Sequence, residues 1–197
     1  MQSEQAETLK RLASLISEKN KQHNLTSAKT ATELYENHIN DCVQAFKKTQ
    51  KTLSETVIDC GSGAGLPGLV WAILDTSKSF YTVDSTHKKT SFQKHAIREL
   101  GLKNVIAVND RIQNVVLEQE NTIVFKAFSS LKEGALSINK KNNHKNLLFL
   151  KKDDEKTKQE ILEASSLLYD YKRHEYESND TKLSLIHISE PTRQNQI

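Results

Sequence analysis

Apolar residues recur at helical spacing along the first fifty positions of the chain. Leu9, Leu12, Leu15 and Ile16 form one stripe within residues 7–20, and Leu34, Ile39, Val43 and Phe46 form another within 32–48. Two amphipathic helices are expected there, joined through "HNLTSAKT". From Thr56 the character changes, and short apolar runs begin to alternate with stretches of helical periodicity. Thr56–Cys60, Ser79–Val83, Asn104–Val108, Thr122–Ala127 and Asn146–Leu150 read as strands. Gly68–Asp75, Thr86–Leu100 and the regions 130–139 and 154–168 read as helices, with Gly101 as a C-terminal cap. Apolar strands separated by helices predict a mostly parallel sheet covered on both faces. Tyr169–Glu177 and Lys182–Ile188, separated by Ser178-Asn179-Asp180, predict a closing antiparallel hairpin. The expected organisation is a small helical N-terminal extension over 1–53, an α/β domain over 54–188, and a disordered or artefactual tail over 189–197.

Composition adds little to this picture and removes several classes. A chain of 197 residues has room for one domain with a sizeable core. No run of 18 apolar residues occurs, so no membrane-spanning helix is expected, and the polar start Met1-Gln2-Ser3-Glu4-Gln5 lacks the features of a signal peptide. Cys42 and Cys60 have no metal-site spacing and read as small core residues, so neither a disulfide framework nor a metal site is expected. The cytoplasm is the expected compartment. The net charge is only +3, but the basic residues cluster: Lys88, Lys89, Lys94, Arg98, Lys103 and Arg111 in one segment, Lys126 through Lys152 in another. Such clusters are either a phosphate-binding surface or solvated helix faces.

The chemistry concentrates in "VIDCGSGAGLPG", residues 57–68. Gly61, Gly63 and Gly65 follow a strand and precede a helix, which lets main chain approach a ligand closely. The dinucleotide fingerprint G-x-G-x-x-G is not met, because Leu66 stands where its third glycine belongs, and no Gly-Lys-Ser/Thr completes a phosphate loop. Asp84 ends the next strand, a position suited to accepting hydrogen bonds from two ribose hydroxyls. In a parallel sheet the loops Gly61–Gly65, Asp84, Asp110–Gln113 and Lys126–Ser129 fall on one rim, at the carboxyl ends of the strands.

Asp59 with the G-x-G-x-G spacing resembles the first motif of Rossmann-like class I methyltransferases, which bind S-adenosylmethionine. "NLTS" at 24–27, "HINDC" at 38–42, "DCGSGAGLPG" at 59–68, "VDSTHKKTSF" at 83–92, "DRIQ" at 110–113 and "KAFSSL" at 126–131 are similar, in order and spacing, to the RsmG (GidB) family. The similarity covers about residues 10–155. It implies methylation of guanine N7 in 16S ribosomal RNA, with the small ribosomal subunit or its rRNA as partner; independently, no metal is expected and the protein is expected to be a monomer. It also implies that Gly61 and Leu66 line the cofactor pocket, beside Gly63, Gly65 and Asp84 expected there from the loop itself, that Ile112 and Gln113 meet the adenine end, and that Lys126 lies close by. Two positions depart from the family pattern: Lys126 replaces an arginine, losing the planar fork, and Gln113 replaces a glutamate.

Guanine N7 carries an in-plane lone pair and no proton, so the reaction needs no general base. Proximity and orientation suffice, and no catalytic side chain is expected. The sequence has neither an Asn/Asp-Pro-Pro-aromatic motif nor a Pro-Cys nucleophile. Lys88, Lys89, Arg98, Lys151 and Lys152 are the expected RNA-phosphate contacts, with Ser85 and Ser129 as neutral additions. Asn24 and Thr26 read as a helix-capping turn, His38 and Asp41 as a hydrogen-bonded pair pinning a helix to the sheet, Trp71 and Phe92 as core, and His87 and His95 as surface residues. An NAD(P)-dependent oxidoreductase is a competing reading, opposed by Leu66 and by the lack of a hydride-transfer set. A non-catalytic rRNA-binding relic is another. The segment "LSLIHISEPTR", Leu183–Arg193, resembles a translated sequencing adapter, so the natural protein is expected to diverge near residue 183. One helix that relatives carry is expected to be missing before Leu9.

Overall fold

The computed structural model describes residues 3–23, 25–138, 140–164, 171–178 and 181–189. Helix α1 (Ser3–His23) leads into a second helical stretch made of α2 (Ala31–Leu34), a π turn (Tyr35–Ile39) and α3 (Asn40–Thr49). The sheet then begins. β1 (Thr56–Cys60), α4 (Gly68–Leu74), β2 (Ser79–Val83), α5 (His87–Glu99), β3 (Val105–Val108), β4 (Asn121–Lys126), α6 (Leu131–Leu136), β5 (His144–Lys152) and α7 (Glu155–Ala164) alternate as the sequence predicts. A 3-10 turn, Ile112–Asn114, follows β3. β6 (Tyr171–Ser178) and β7 (Thr181–Ser189) form the closing hairpin.

The strand order is β3-β2-β1-β4-β5-β7-β6. β1 to β5 run parallel; β7 pairs antiparallel with β5, and β6 antiparallel with β7. Chain order reverses between β1 and β4, and the crevice beyond the strands' carboxyl ends at such a switch point is where α/β sheets take ligands.

Alternation along each central strand builds two cores. Val57, Val124 and Leu148 face α1, α3, α4 and α5 in one apolar cluster, while Ile58, Ile123, Phe125 and Phe149 face the α6–α7 side in another. Burial on both faces is why these strands read as unbroken apolar runs. The first cluster also takes in Leu9, Leu12, Ile16, Leu34, Ile39 and Phe46, so the N-terminal helices share its core. Trp71 is fully buried and donates its indole N–H to the Cys42 carbonyl at 2.9 Å; Phe92, Cys42 and Cys60 are also core.

Several boundaries differ from expectation. The helix at 130–139 is only Leu131–Leu136, and α7 is described only to Ala164. β7 contains the expected strand Lys182–Ile188 and pairs Leu183–Ser189 with Lys152–Asn146. Of the expected tail, 190–197 lie outside the described residues, as does Asn24. Thr26 does not cap a helix. The Asn20 carboxamide accepts from Thr26 N and donates to the carbonyls of Thr26 and Ala28, each at 2.9 Å, so it organises the turn after α1. Among the described residues, no helix is long and apolar enough to cross a membrane.

Candidate functional site

The glycine loop after β1 is fixed by the end of β2. Gly61 N and Ser62 N both donate to the Val83 carbonyl, at 2.9 and 3.1 Å. Gly63 N donates to Asp84 Oδ2 at 3.0 Å, and Asp84 Oδ1 accepts from Thr86 N at 2.8 Å. Lys89 stands 3.5 Å from the same carboxylate. Asn109, at the end of β3, donates to the Asp84 carbonyl at 3.1 Å. From α5 the buried Gln93 carboxamide donates to Ser62 Oγ and to the Gly63 carbonyl, both at 2.8 Å. The ends of β2 and β3 and the Gln93 side chain of α5 thus hold the loop in place.

Two glycines explain the loop's shape. Gly63 has φ +56, and a Cβ there would point into open space, its nearest neighbour being Gly61 O at 4.0 Å. That open space leaves the Gly63 main chain accessible, as the close approach of a nucleoside requires. Gly68 serves packing instead. A Cβ on it would lie 2.6 Å from Thr82 Cγ2 and 2.9 Å from Asp59 Oδ2, so only glycine brings α4 this close to the sheet. This is the third glycine that the fingerprint seeks, displaced two positions beyond Leu66.

Asp59 lies beneath the loop. Its Oδ2 accepts from Gly68 N at 2.7 Å, capping α4, while Oδ1 is buried without a hydrogen-bond partner. Burial pushes the Asp59 carboxyl up to about 7, against the opposing pull of the Gly68 N–H and of Lys126. Beside it is an ion pair that the sequence does not announce. Lys126, at the end of β4, lies 3.3 Å from Asp41 on α3, and the two side chains are only 14% and 9% exposed. Tyr176 on β6 donates its hydroxyl to Asp41 Oδ1 at 2.8 Å. Burial opposes the Lys126 charge, but the Asp41 carboxylate, which accepts its hydrogen bond, and Asp59 outweigh it and raise the pKa. Burial, followed by Lys126, lowers that of His38. Asp41 therefore does pin its helix to the sheet, but through Lys126 and Tyr176 rather than through His38.

The loop after β4 closes the other side of the crevice. Ala127 has φ +52. The Phe128 ring packs against Phe125, with centroids 5.2 Å apart, and would meet a Gly61 Cβ at 2.8 Å. Lys151 Nζ donates to the carbonyls of Phe128 and Ser129 and pairs with Glu160 at 2.9 Å. Ser130 and Glu133 complete a capping box at the start of α6.

The four expected loops do share one rim, and Gly61, Gly63, Gly65 and Asp84 form one hydrogen-bonded unit with Leu66 behind it. Ile112 is buried and Gln113 exposed in the 3-10 turn past β3. Lys126 lies at the end of β4. Its side chain pairs with Asp41 on the α3 side of the sheet, whereas Ile112 packs with Ile58, Ile123 and Phe125 in the core on the other face. Two of the expected RNA contacts are placed differently from the rest. Arg98 sits in the last turn of α5, about 15 Å along the helix from the rim that Lys88 and Lys89 occupy. Lys151 is committed to the Phe128–Ser129 loop and to Glu160, leaving Lys152 as the exposed lysine of that pair. Gln93 and Asn109 were not anticipated. A lone carboxamide inside the apolar stripe Thr90–Phe92–Ala96 was the available signal for Gln93.

The family model described as GidB, rRNA small subunit methyltransferase G, matches residues 5–186. Curated proteins of the name Ribosomal RNA small subunit methyltransferase G are similar. That of Pasteurella multocida is 41% identical over 131 residues, covering 66% of this chain and 61% of the relative. That of Psychromonas ingrahamii is 38% identical over 129 residues, covering 65% and 61%. The chain thus spans less than two thirds of the length of these relatives. Among solved structures, a SAM dependent methyltransferase from Aquifex aeolicus aligns with TM-score 0.57 at 16% identity, covering 80% of this chain and 93% of its own. An rRNA methylase from Escherichia coli aligns with TM-score 0.58 at 12% identity, covering 94% and 77%. The fold is therefore the Rossmann-like one of S-adenosylmethionine-dependent methyltransferases.

Proposed function

Because the chain belongs to the rRNA small subunit methyltransferase G family, we propose that it methylates N7 of a guanine in 16S ribosomal RNA, with S-adenosylmethionine as donor. The observation that carries this reading is the open main-chain cradle at Gly63, hydrogen-bonded to Asp84 at 3.0 Å beside the switch point. Bound there, the cofactor supplies an electrophilic methyl group on a sulfonium. Gly61, Gly63, Gly65 and Leu66 press main chain against its methionine and sugar. Asp84 accepts the ribose hydroxyls with the lone pairs its two backbone donors leave free, and Ile112 and Gln113 wall the adenine end. Lys126 acts from below: held by Asp41, it keeps a positive charge beside Asp59 and ties the end of β4 to α3.

No group here has to take a proton. The N7 lone pair would take the methyl group of a bound sulfonium, which would leave as the neutral thioether, so the protein's task is alignment and exclusion of water. The methyltransferase unit is residues 54–188, covered on one face by the helices of 1–53. Lys88, Lys89 and Lys152 stand at the rim for RNA phosphates. The protein works as a cytoplasmic monomer on the small subunit or its rRNA. Incubation with tritiated S-adenosylmethionine and 30S subunits lacking this mark should place label on guanine N7. Absence of transfer by folded protein that binds the cofactor would instead favour a non-catalytic relic. Preferential binding of NADH in equilibrium dialysis would return the oxidoreductase reading.

A further inference from the structure

We propose that Phe128 is the stacking surface for the target guanine, and that the cleft it lines, between the loop after β4 and the start of α7, receives that base. The inference rests on the methyltransferase reading above and names the subsite it needs.

Ala127 is the one non-glycine among the described residues with a left-handed backbone, at φ +52. Such a conformation is strained for a residue with a side chain and persists only where the surroundings impose it, which is common at functional loops. Here the surroundings do impose it. Lys151 ties down the Phe128 and Ser129 carbonyls, Glu160 holds Lys151 at 2.9 Å and also accepts from Leu131 N at 3.2 Å, and the Ser130–Glu133 box starts α6 immediately afterwards. The strain and its fastenings set the place of one side chain, Phe128. Its ring rests on Gly61 and Phe125, directly across the switch point from Asp84.

The ring also lines an open cleft of about 610 Å³, with Ser129, Lys152, Asp154 and Lys156 among its walls. That is within the size of sites that hold a nucleoside-sized ligand. N7 lies on the edge of guanine that a folded RNA buries in its deep, narrow major groove, so methylation requires the base to leave its stack. The lost stacking must be replaced, and an aromatic face beside the methyl donor does so while leaving the base edges free. Phe128 is placed for that purpose, and Lys152 stands near enough to meet the phosphate of a turned-out nucleotide.

Phe128→Leu keeps the apolar packing on Gly61 and Phe125 but removes the flat ring; Phe128→Trp enlarges it. Single-turnover methylation of unmarked 30S subunits, calorimetry with S-adenosylhomocysteine and thermal melting are measured for both variants and the wild type. F128L is expected to melt normally and bind S-adenosylhomocysteine within twofold of wild type, yet lose about 5- to 150-fold in rate, the range for one base–aromatic stack. F128W is expected to retain most of the rate. Wild-type rates in F128L overturn the subsite alone. Equal losses of rate and cofactor affinity also overturn it, since the ring would then only support the glycine loop. No transfer by the wild type overturns the methyltransferase reading and the subsite with it.

Discussion

Replacing Gly63 with alanine separates the cradle from the fold. In the free protein the added methyl meets nothing within 4.0 Å, so the only folding cost is a left-handed backbone at φ +56 for a residue with a side chain. That cost is about 1–2 kcal/mol. For a chain of this size it corresponds to a fall in Tm of about 2–8 °C. The Gly63 N–H still reaches Asp84, and Gln93 still holds the Gly63 carbonyl, so the loop keeps its fastenings. With S-adenosylmethionine present the same methyl occupies space the nucleoside needs. Overpacking of this kind costs about 1–3 kcal/mol, or roughly 5- to 150-fold in Kd. Gly63→Val, larger and β-branched, is expected to abolish binding. Calorimetric titration at 25 °C, with thermal melts of the same samples, reads both effects. A Kd within twofold of wild type in the alanine variant, together with the expected loss of Tm, would show that no ligand approaches Gly63.

Asp84→Ala should weaken cofactor affinity by about 1–3 kcal/mol, because a charged acceptor for the sugar is lost and the Gly63 and Thr86 N–H groups lose theirs; unchanged calorimetric affinity would remove Asp84 from the site. Asp59→Asn tests the buried carboxyl, whose pKa rises from 3.8 to about 7 on folding. Between those values the folded protein holds a proton that the unfolded chain has released, so wild-type stability falls as pH rises through 7. The Tm advantage of D59N over wild type should therefore widen from pH 5 to pH 8, and a constant difference would contradict the assignment. Lys126→Met should cost about 3–5 kcal/mol in denaturant unfolding by leaving Asp41 charged and buried. The double variant with Asp41→Leu should recover at least half of that loss; additive losses would mean the two residues do not depend on each other.

The strands were legible because burial on both faces makes them continuous apolar runs. Thr56–Cys60 and Ser79–Val83 fall where their residues place them, and the helix termini need only small adjustments. The rim was legible for a related reason, since loops after parallel strands must share one edge. What escaped the sequence depends on distant partners. Lys126 and Lys151 look like any other lysine in a basic stretch, and only the fold brings Asp41 and Glu160 to them. Nothing local distinguishes Lys151, which fastens a loop, from Lys152, which faces solvent. Gly68 escaped because motif spacing directed attention to position 66, whereas the close approach of α4 to Thr82 fixes the glycine two residues later. No residue of the "YENHI" stretch signals the π turn at Tyr35–Ile39 that precedes Asp41 on α3.

A crystal structure of this protein soaked with S-adenosylhomocysteine tests the central claim most directly. The ribose hydroxyls should lie within hydrogen-bond distance of the Asp84 carboxylate, with the sulfur beside the Gly61–Gly65 main chain and facing Phe128. Ligand density elsewhere on the molecule, or none at the glycine loop under saturating ligand, would contradict it.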